Sequence, residues 1–397
     1  MLLDYVDDIR CLIAYQWERY LHKDRNEAVS MLQAALLGQT YGMLSGNSDD
    51  LSMTASFHGT IISWARQKGL FQVKNAFPFQ ASLGEANPET AWREWAKNEE
   101  AYRIVLGLRI HDAEFATMFH HEPFLRHNAG DVLAPCSDYL FEASSANEWI
   151  AVGTSSDPSI SSGDITLSLK TRSGIHDYVL LGGIMASIAE ADCAGTREKD
   201  MGIYRQRLMS WYVDRALVPG DKSYDVLCMT ILWHEAFMAL YVSFDLLDRI
   251  AGRDGVFVQE TAVPIICGWV KEPRGKRSLV HALLLLKNAQ SLPVSAEPAI
   301  HVPKALFYAG IIVFCHVRFC SSDVSFSNVD IPELQCMAGT SITSASLSHI
   351  HTTDWVVLHE IFSLLQRYGH WELSRRFASI LEVLIDSITD SGAFQLQ

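Results

Sequence analysis

None of the eight cysteines stands in a CxxC pair, and no Cys/His quartet has the short spacing that closes a tetrahedron around zinc. The sequence therefore shows no zinc finger. GxGxxG, the P-loop, the GxSxG nucleophile elbow and HExxH are absent as well. Dinucleotide, phosphate-loop, serine-hydrolase and zincin chemistry have no motif to rest on. Basic residues are scarce: 32 Lys and Arg face 46 Asp and Glu, a formal charge of −14. Such a surface offers no electrostatic footprint for a phosphate backbone, so direct nucleic-acid binding is not expected. Twelve prolines and 24 glycines in 397 residues are too few for a fibrous or low-complexity chain. Long apolar runs are missing too. The longest, Ala305 to Val317, falls short of the roughly 20 residues a spanning helix needs. The first eight residues carry three aspartates and no basic stretch leading into an apolar one, unlike a signal peptide. The expectation is an intracellular protein, nuclear or cytoplasmic, with no membrane partner.

What the sequence does have is apolar content, 49%, enough to build a large core. Its periodicity is helical almost throughout. Segments 26–45, 56–71, 88–119, 223–250, 278–292, 303–319, 354–368 and 371–389 read as helices. Asn26, Ser223 and Asp354 suit N-caps, Pro88 suits a first turn, and Gly252 suits a left-handed residue beyond a helix end. Trp233, Phe237, Leu240, Phe244 and Leu247 recur at spacings of 4, 3, 4 and 3, which sets one bulky stripe along the 223–250 helix. Residues 256–266 alternate well enough for a strand and read equally as a helix. Residues 153–174 and 321–348 are Ser/Thr-rich and read as long surface loops. The fold class expected is all-α: one large multi-helix bundle over 1–397 with two long Ser/Thr-rich loops.

The densest chemical run is His111-Asp112-Ala113-Glu114 through His120-His121-Glu122, with His127 following. Carboxylates and imidazoles at mixed spacing can bind metal or move protons. On a helix, however, Asp112 and His121 face opposite ways, so buried or capping histidines are the better reading and no metal or other cofactor is assigned. In Trp233-His234-Glu235, neighbours point about 100° apart and cannot act jointly without another helix. The scattered cysteines read as reduced, mostly buried thiols. The HxH of His349 and His351 has no partner pair nearby. Lys271, Arg274, Lys276 and Arg277 form the one basic cluster; a solvated helix-start loop is the default reading and a nuclear-localisation signal the alternative.

From Trp92 onward, WREWAKNEEAYRIVLGLRIHDAEFATMFHHEPF and then VLAPCSDYLFEASSANEW resemble the fungal-specific transcription factor regulatory domain, in the form found behind C2H2 zinc fingers. The similarity rests on Trp92, Trp95, Glu99, Asp112-Ala113, Ala116, Met118-Phe119, His121 and Pro135-Cys136. It extends to QAALLGQTYGMLSG, SFHGTIISWAR, Trp233-His234-Glu235, the stretch from Ala251 to Gly255, and Val302 to Phe307, so the best-matching core is 26–150 and 223–319. Phe115 stands where that subfamily prefers His, His120 where it prefers Gly, and Ser137 and Phe141 where it prefers Asp and Trp. The resemblance implies an all-α regulatory module. It also implies dimerisation and a response to a small molecule; the partners expected are an apolar small molecule and either a second copy or a DNA-binding homologue. The zinc fingers expected ahead of such a module are not seen.

Two functions follow. One is a regulatory or small-molecule-binding module that does not touch DNA itself. The other is a cofactor-independent enzyme of secondary metabolism, cyclising or isomerising an apolar substrate in a helical cavity, pericyclase fashion. Its catalytic candidates are His111, His121, His234 and Tyr212. Trp211, Trp233, Phe237 and Phe119 are the ligand-lining candidates in either case.

Overall fold

The computed structural model describes residues 25–72, 87–155, 173–214, 224–320, 331–335 and 355–393. Every regular element among them is helical: α1 (Arg25–Leu44), α2 (Ser48–Gln67), α3 (Pro88–Phe119), α4 (Asp138–Phe141), α5 (Ala146–Ser155), α6 (Gly174–Cys193), α7 (Arg197–Asp214), α8 (Tyr224–Tyr241), α9 (Phe244–Ile250), α10 (Val256–Trp269), α11 (Pro273–Gln290), α12 (Val302–Phe319), α13 (Pro332–Gln335), α14 (Trp355–Arg367) and α15 (Glu372–Ala393). The ambiguous 256–266 segment is thus helical. The Ser/Thr-rich loops fall largely outside the described residues. So do His349, His351 and the side chains of Asn26, Ser223 and Asp354.

Local chemistry sets several boundaries. The Asn87 Oδ1 accepts from the amides of Glu89 (3.0 Å) and Thr90 (3.4 Å), and Pro88 follows in the first turn, where its missing N–H costs nothing. The Asn47 Oδ1 accepts from the Asp49 amide at 2.9 Å and starts α2 eight residues before the expected start. Asp49 and Asp50 then face the positive end of the helix dipole. Beyond α9, Gly252 takes φ 92° and the Arg253 amide reaches back to the Asp248 carbonyl at 3.0 Å, a Schellman ending. α3 ends the same way, with the His121 amide on the Ala116 carbonyl at 3.2 Å. There the left-handed position is held by His120 (φ 53°), the one non-glycine with positive φ among the described residues.

The single helix expected over 223–250 is two, α8 and α9, bent by 82°. Contacts distant in sequence make the break. The Tyr241 carbonyl accepts from Trp269 Nε1 at 3.0 Å, and the Ser243 hydroxyl donates to Asp192 at 2.6 Å. Trp233, Phe237 and Leu240 stay on α8 while Phe244 and Leu247 pass to α9, and all five are buried.

The helices form two compact units. The first takes the chain up to Tyr41, Ser52–Ala113 and Phe124–Gly183; the second takes Gly42–Leu51, Glu114–Pro123 and Ile184 onward. In the first, Ala28, Leu32 and Ala35 of α1 meet Ile61, Trp64 and Ala65 of α2 and Ala101, Ile104, Val105 and Leu108 of α3, spacings that put one face of each helix inward. Trp95 and Trp149 pack with ring centroids 5.4 Å apart, over Leu140 and Ala143. In the second unit α8 packs on α11, α11 on α12, and α12 on α14 and α15. α12 is buried at every residue from Val302 to His316. Its length and apolarity would suffice for a membrane span, yet 83% of that window is buried against protein, as expected of a core helix. At Gly46 (φ 66°) a Cβ would sit 2.8 Å from the backbone of Glu372 and Leu373, so only glycine allows this close approach to the start of α15.

Candidate functional site

In the first unit the Asp112 carboxylate is a buried knot. It accepts from His58 Nε2 (3.1 Å), His127 Nε2 (2.9 Å) and the amides of Phe124 (2.9 Å) and Leu125 (2.8 Å). Burial pushes this carboxyl up, but the bonds from His127 and His58 outweigh it and hold it well below the ordinary range. Gln39 fixes the protons of the chain behind it. Its Oε1 takes the His111 Nδ1 proton at 3.1 Å, so its Nε2 donates to His58 Nδ1 at 3.1 Å and leaves the His58 proton on Nε2, toward Asp112. His111, a catalytic candidate from sequence, is thereby a link in a buried network that fixes the α1–α2–α3 packing.

The second unit buries a charge cluster. Lys304 is 2% exposed. Its Nζ donates to Glu114 Oε2 (2.6 Å) and Thr117 Oγ1 (2.7 Å), and Glu235 Oε1 stands 3.4 Å away. One ammonium cannot neutralise two carboxylates. Burial pushes the Glu235 carboxyl up to about 8, the nearby Lys304 charge opposing and the Glu114 charge adding to the rise. Glu235 is therefore protonated at neutral pH, and the cluster holds one cation and one anion. Lys304 Nζ is committed to Glu114 and Thr117 and approaches Glu235 only at 3.4 Å, and neither Glu235 oxygen has a well-formed hydrogen bond among the described residues, which fits an acid that burial keeps neutral.

Beside it on α8, His234 heads an imidazole chain. His234 Nδ1 and His281 Nδ1 are 2.9 Å apart. Burial lowers both rings' pKa values, so both are neutral. His281 Nε2 lies 3.5 Å from Glu333 Oε1, too far for a well-formed hydrogen bond, and that oxygen accepts from Tyr241 OH at 2.6 Å. The consistent assignment has His234 Nδ1–H donating to the bare His281 Nδ1, and the His281 proton on Nε2, on the side of Glu333. His234 Nε2 then carries a lone pair with no partner among the described residues. This is the orienting geometry of an acid–base relay, but His234, His281 and Glu333 are all 0% exposed.

Of the remaining sequence candidates, Tyr212 and Phe237 pack their rings on Trp233, with centroids 4.8 and 4.6 Å away. Trp233 Nε1 donates to the Leu208 carbonyl at 2.9 Å, and Phe237 stacks on His281 at 4.5 Å. Trp211 is buried at 6% exposure. His121 is half-buried at the end of α3, stacked on Phe119 and bonded to the Glu122 carbonyl at 2.7 Å. The structure thus gathers His234, Trp233, Phe237 and Tyr212 around α8 and holds His111 in the first unit's network. A small cleft between Thr117, His120, Ala189, Cys193 and Phe244 measures about 30 Å³, room for one or two water molecules rather than a metabolite. Sequence reasoning passed over Lys304, His281 and Glu333. Lys304 carried a signal: it is the one charge in the apolar stretch from Val302 to Cys315, and a charge there must be paired.

A family model described as the fungal specific transcription factor domain matches residues 11–212, just over half of the 397-residue chain. The chain belongs to this family. No curated protein and no solved structure matches it. In this fungal transcription factor domain protein the match takes in α1 through most of α7, with the Asp112 knot. Lys304, His281 and Glu333 lie beyond the matched residues.

Proposed function

We propose that this chain is a regulatory module of transcription, an acidic helical body that sets the activity of a DNA-binding partner inside the nucleus without gripping DNA itself. The family membership over residues 11–212 carries this reading. The −14 charge supports its second half, since phosphate contacts call for Lys and Arg. A DNA-binding homologue is the partner proposed, and an apolar small molecule the effector. The cleft beside Thr117 admits only water, so an apolar effector there would have to part α6 from α9. The alternative, a cyclase or isomerase, draws on the buried His234–His281 pair, and no observation favours it.

The test is a transcript profile after deletion of the coding region, with the wild-type chain restored as control. The expected result is a defined set of transcripts that changes on deletion and returns on restoration. An unchanged profile under conditions where the protein is expressed would overturn the proposal.

A further inference from the structure

Glu333 is a buried carboxylate on a slight support. It is carried by α13, a helix of one turn, and is 0% exposed. A single turn does not stand on its own, because nucleation costs more than one turn returns. α13 is therefore held by the side chains buried along it: Ile331 just ahead of the helix and Leu334 within it, each 8% exposed, with Glu333 between them. Burial pushes the Glu333 carboxyl up, but His281 and the bond from Tyr241 outweigh it and hold it below its ordinary value, so the buried group is an anion. Apolar packing has no use for that charge.

The seat that receives Glu333 is built by α8 and α11. Tyr241 OH donates to Glu333 Oε1 from α8 at 2.6 Å, and His281 presents its Nε2 proton from α11. The Arg277 guanidinium, 5.8 Å from the centre of the Tyr241 ring, adds positive charge, and Phe237 stacks on His281 as an apolar wall. α8 and α11 pack directly on each other, so these groups are in place with or without α13. The seat also has polar groups to spare. Glu333 Oε2 and His281 Nε2 have no well-formed hydrogen bond among the described residues. Neither has Ser278 Oγ, which is buried on α11 three residues before His281 and on the same face. We propose that this seat is a binding site for apolar monocarboxylic acids, which the chain's own Ile331, Glu333 and Leu334 fill in their absence. Those three side chains have the same chemistry, one carboxylate between two branched aliphatic groups. An acid that sets its carboxylate on Tyr241 and His281 and its apolar body in the places of Ile331 and Leu334 releases α13. The acid gives a class to the apolar effector, and to that extent the inference rests on the regulatory reading; the binding itself does not.

Hydrogen exchange of the full chain in sodium octanoate, from about 1 µM to about 2 mM, tests it, with octan-1-ol as the neutral control. Octanoate is expected to speed exchange of the α13 amides, and octan-1-ol to leave it unchanged. In titration calorimetry Glu333→Gln should bind octanoate at least about tenfold more tightly than the wild type, because the internal competitor has lost its charge. Adding Tyr241→Phe should abolish that gain. Exchange of α13 that octanoate leaves unchanged throughout the range would overturn the proposal. So would equal affinity for the acid and the alcohol, or a folded Glu333→Gln that binds no more tightly than the wild type. If the substitution prevents folding, exchange in the wild type decides. A chain that binds octanoate and releases α13 yet alters no transcript would overturn the regulatory reading and leave this one standing.

Discussion

Replacing Glu235 by Gln tests the charge balance of the buried cluster. The folded protein holds the Glu235 proton up to about pH 8, whereas an unfolded chain releases it near 4.5. Between those values the folded state binds a proton that the unfolded state lacks, so stability from this group is complete below pH 4.5 and drains away as pH rises toward 8. At 1.36 kcal/mol per unit, the loss from pH 6 to pH 8 is about 2 kcal/mol. Gln is the neutral isostere of the protonated acid and carries no such dependence. The buried imidazoles of His234, His281, His301 and His316, lowered by burial, act with the opposite sign, gaining stability as pH rises toward 6.5. They are common to both proteins and cancel in the difference. Urea unfolding at pH 6, 7 and 8 should therefore show Glu235→Gln gaining on the wild type by about 2 kcal/mol across the range. A wild-type-minus-variant difference that stays constant with pH would refute a protonated Glu235.

Lys304→Met leaves Glu114 buried without its cation and should cost about 3–5 kcal/mol, part of which Glu114→Gln recovers in the double variant. Asp112→Asn cannot accept all four donors and should cost roughly 2–4 kcal/mol in the same unfolding assay. At the end of α3, His120→Ala should be less stable than His120→Gly by about 1 kcal/mol, because both lose the 2.7 Å bond to Asp248 and only Ala keeps the left-handed strain. Equal melting temperatures for those two variants would remove the strain argument. Gly46→Ala should destabilise by more than about 1 kcal/mol, since the new methyl meets backbone rather than a movable side chain.

The helices legible in the sequence are those whose signals are local. α3 has Asn87 and Pro88 at its start, and α12, α14 and α15 have long periodic runs. The family resemblance was legible for a different reason: it rests on the order of many weak motifs from Trp92 onward. The break between α8 and α9 was hidden because Asp192 and Trp269, which cause it, lie far off in the chain. The site was half legible. His234 and Trp233 stood out as residue types, but whether they act in concert depends on His281, which only the packing of α11 on α8 brings near. His111 drew notice as an imidazole beside a carboxylate. Its partners, Gln39 and Thr40, are on another helix and gave no motif.

The central claim, that this helical body regulates transcription, is tested most directly by tethering. The full chain is fused to a DNA-binding domain of unrelated origin, and a reporter carrying that domain's operator is measured. The account predicts reporter output severalfold above or below that of the DNA-binding domain alone. Output equal to the bare domain, from a fusion shown to be folded and present in the nucleus, would contradict it.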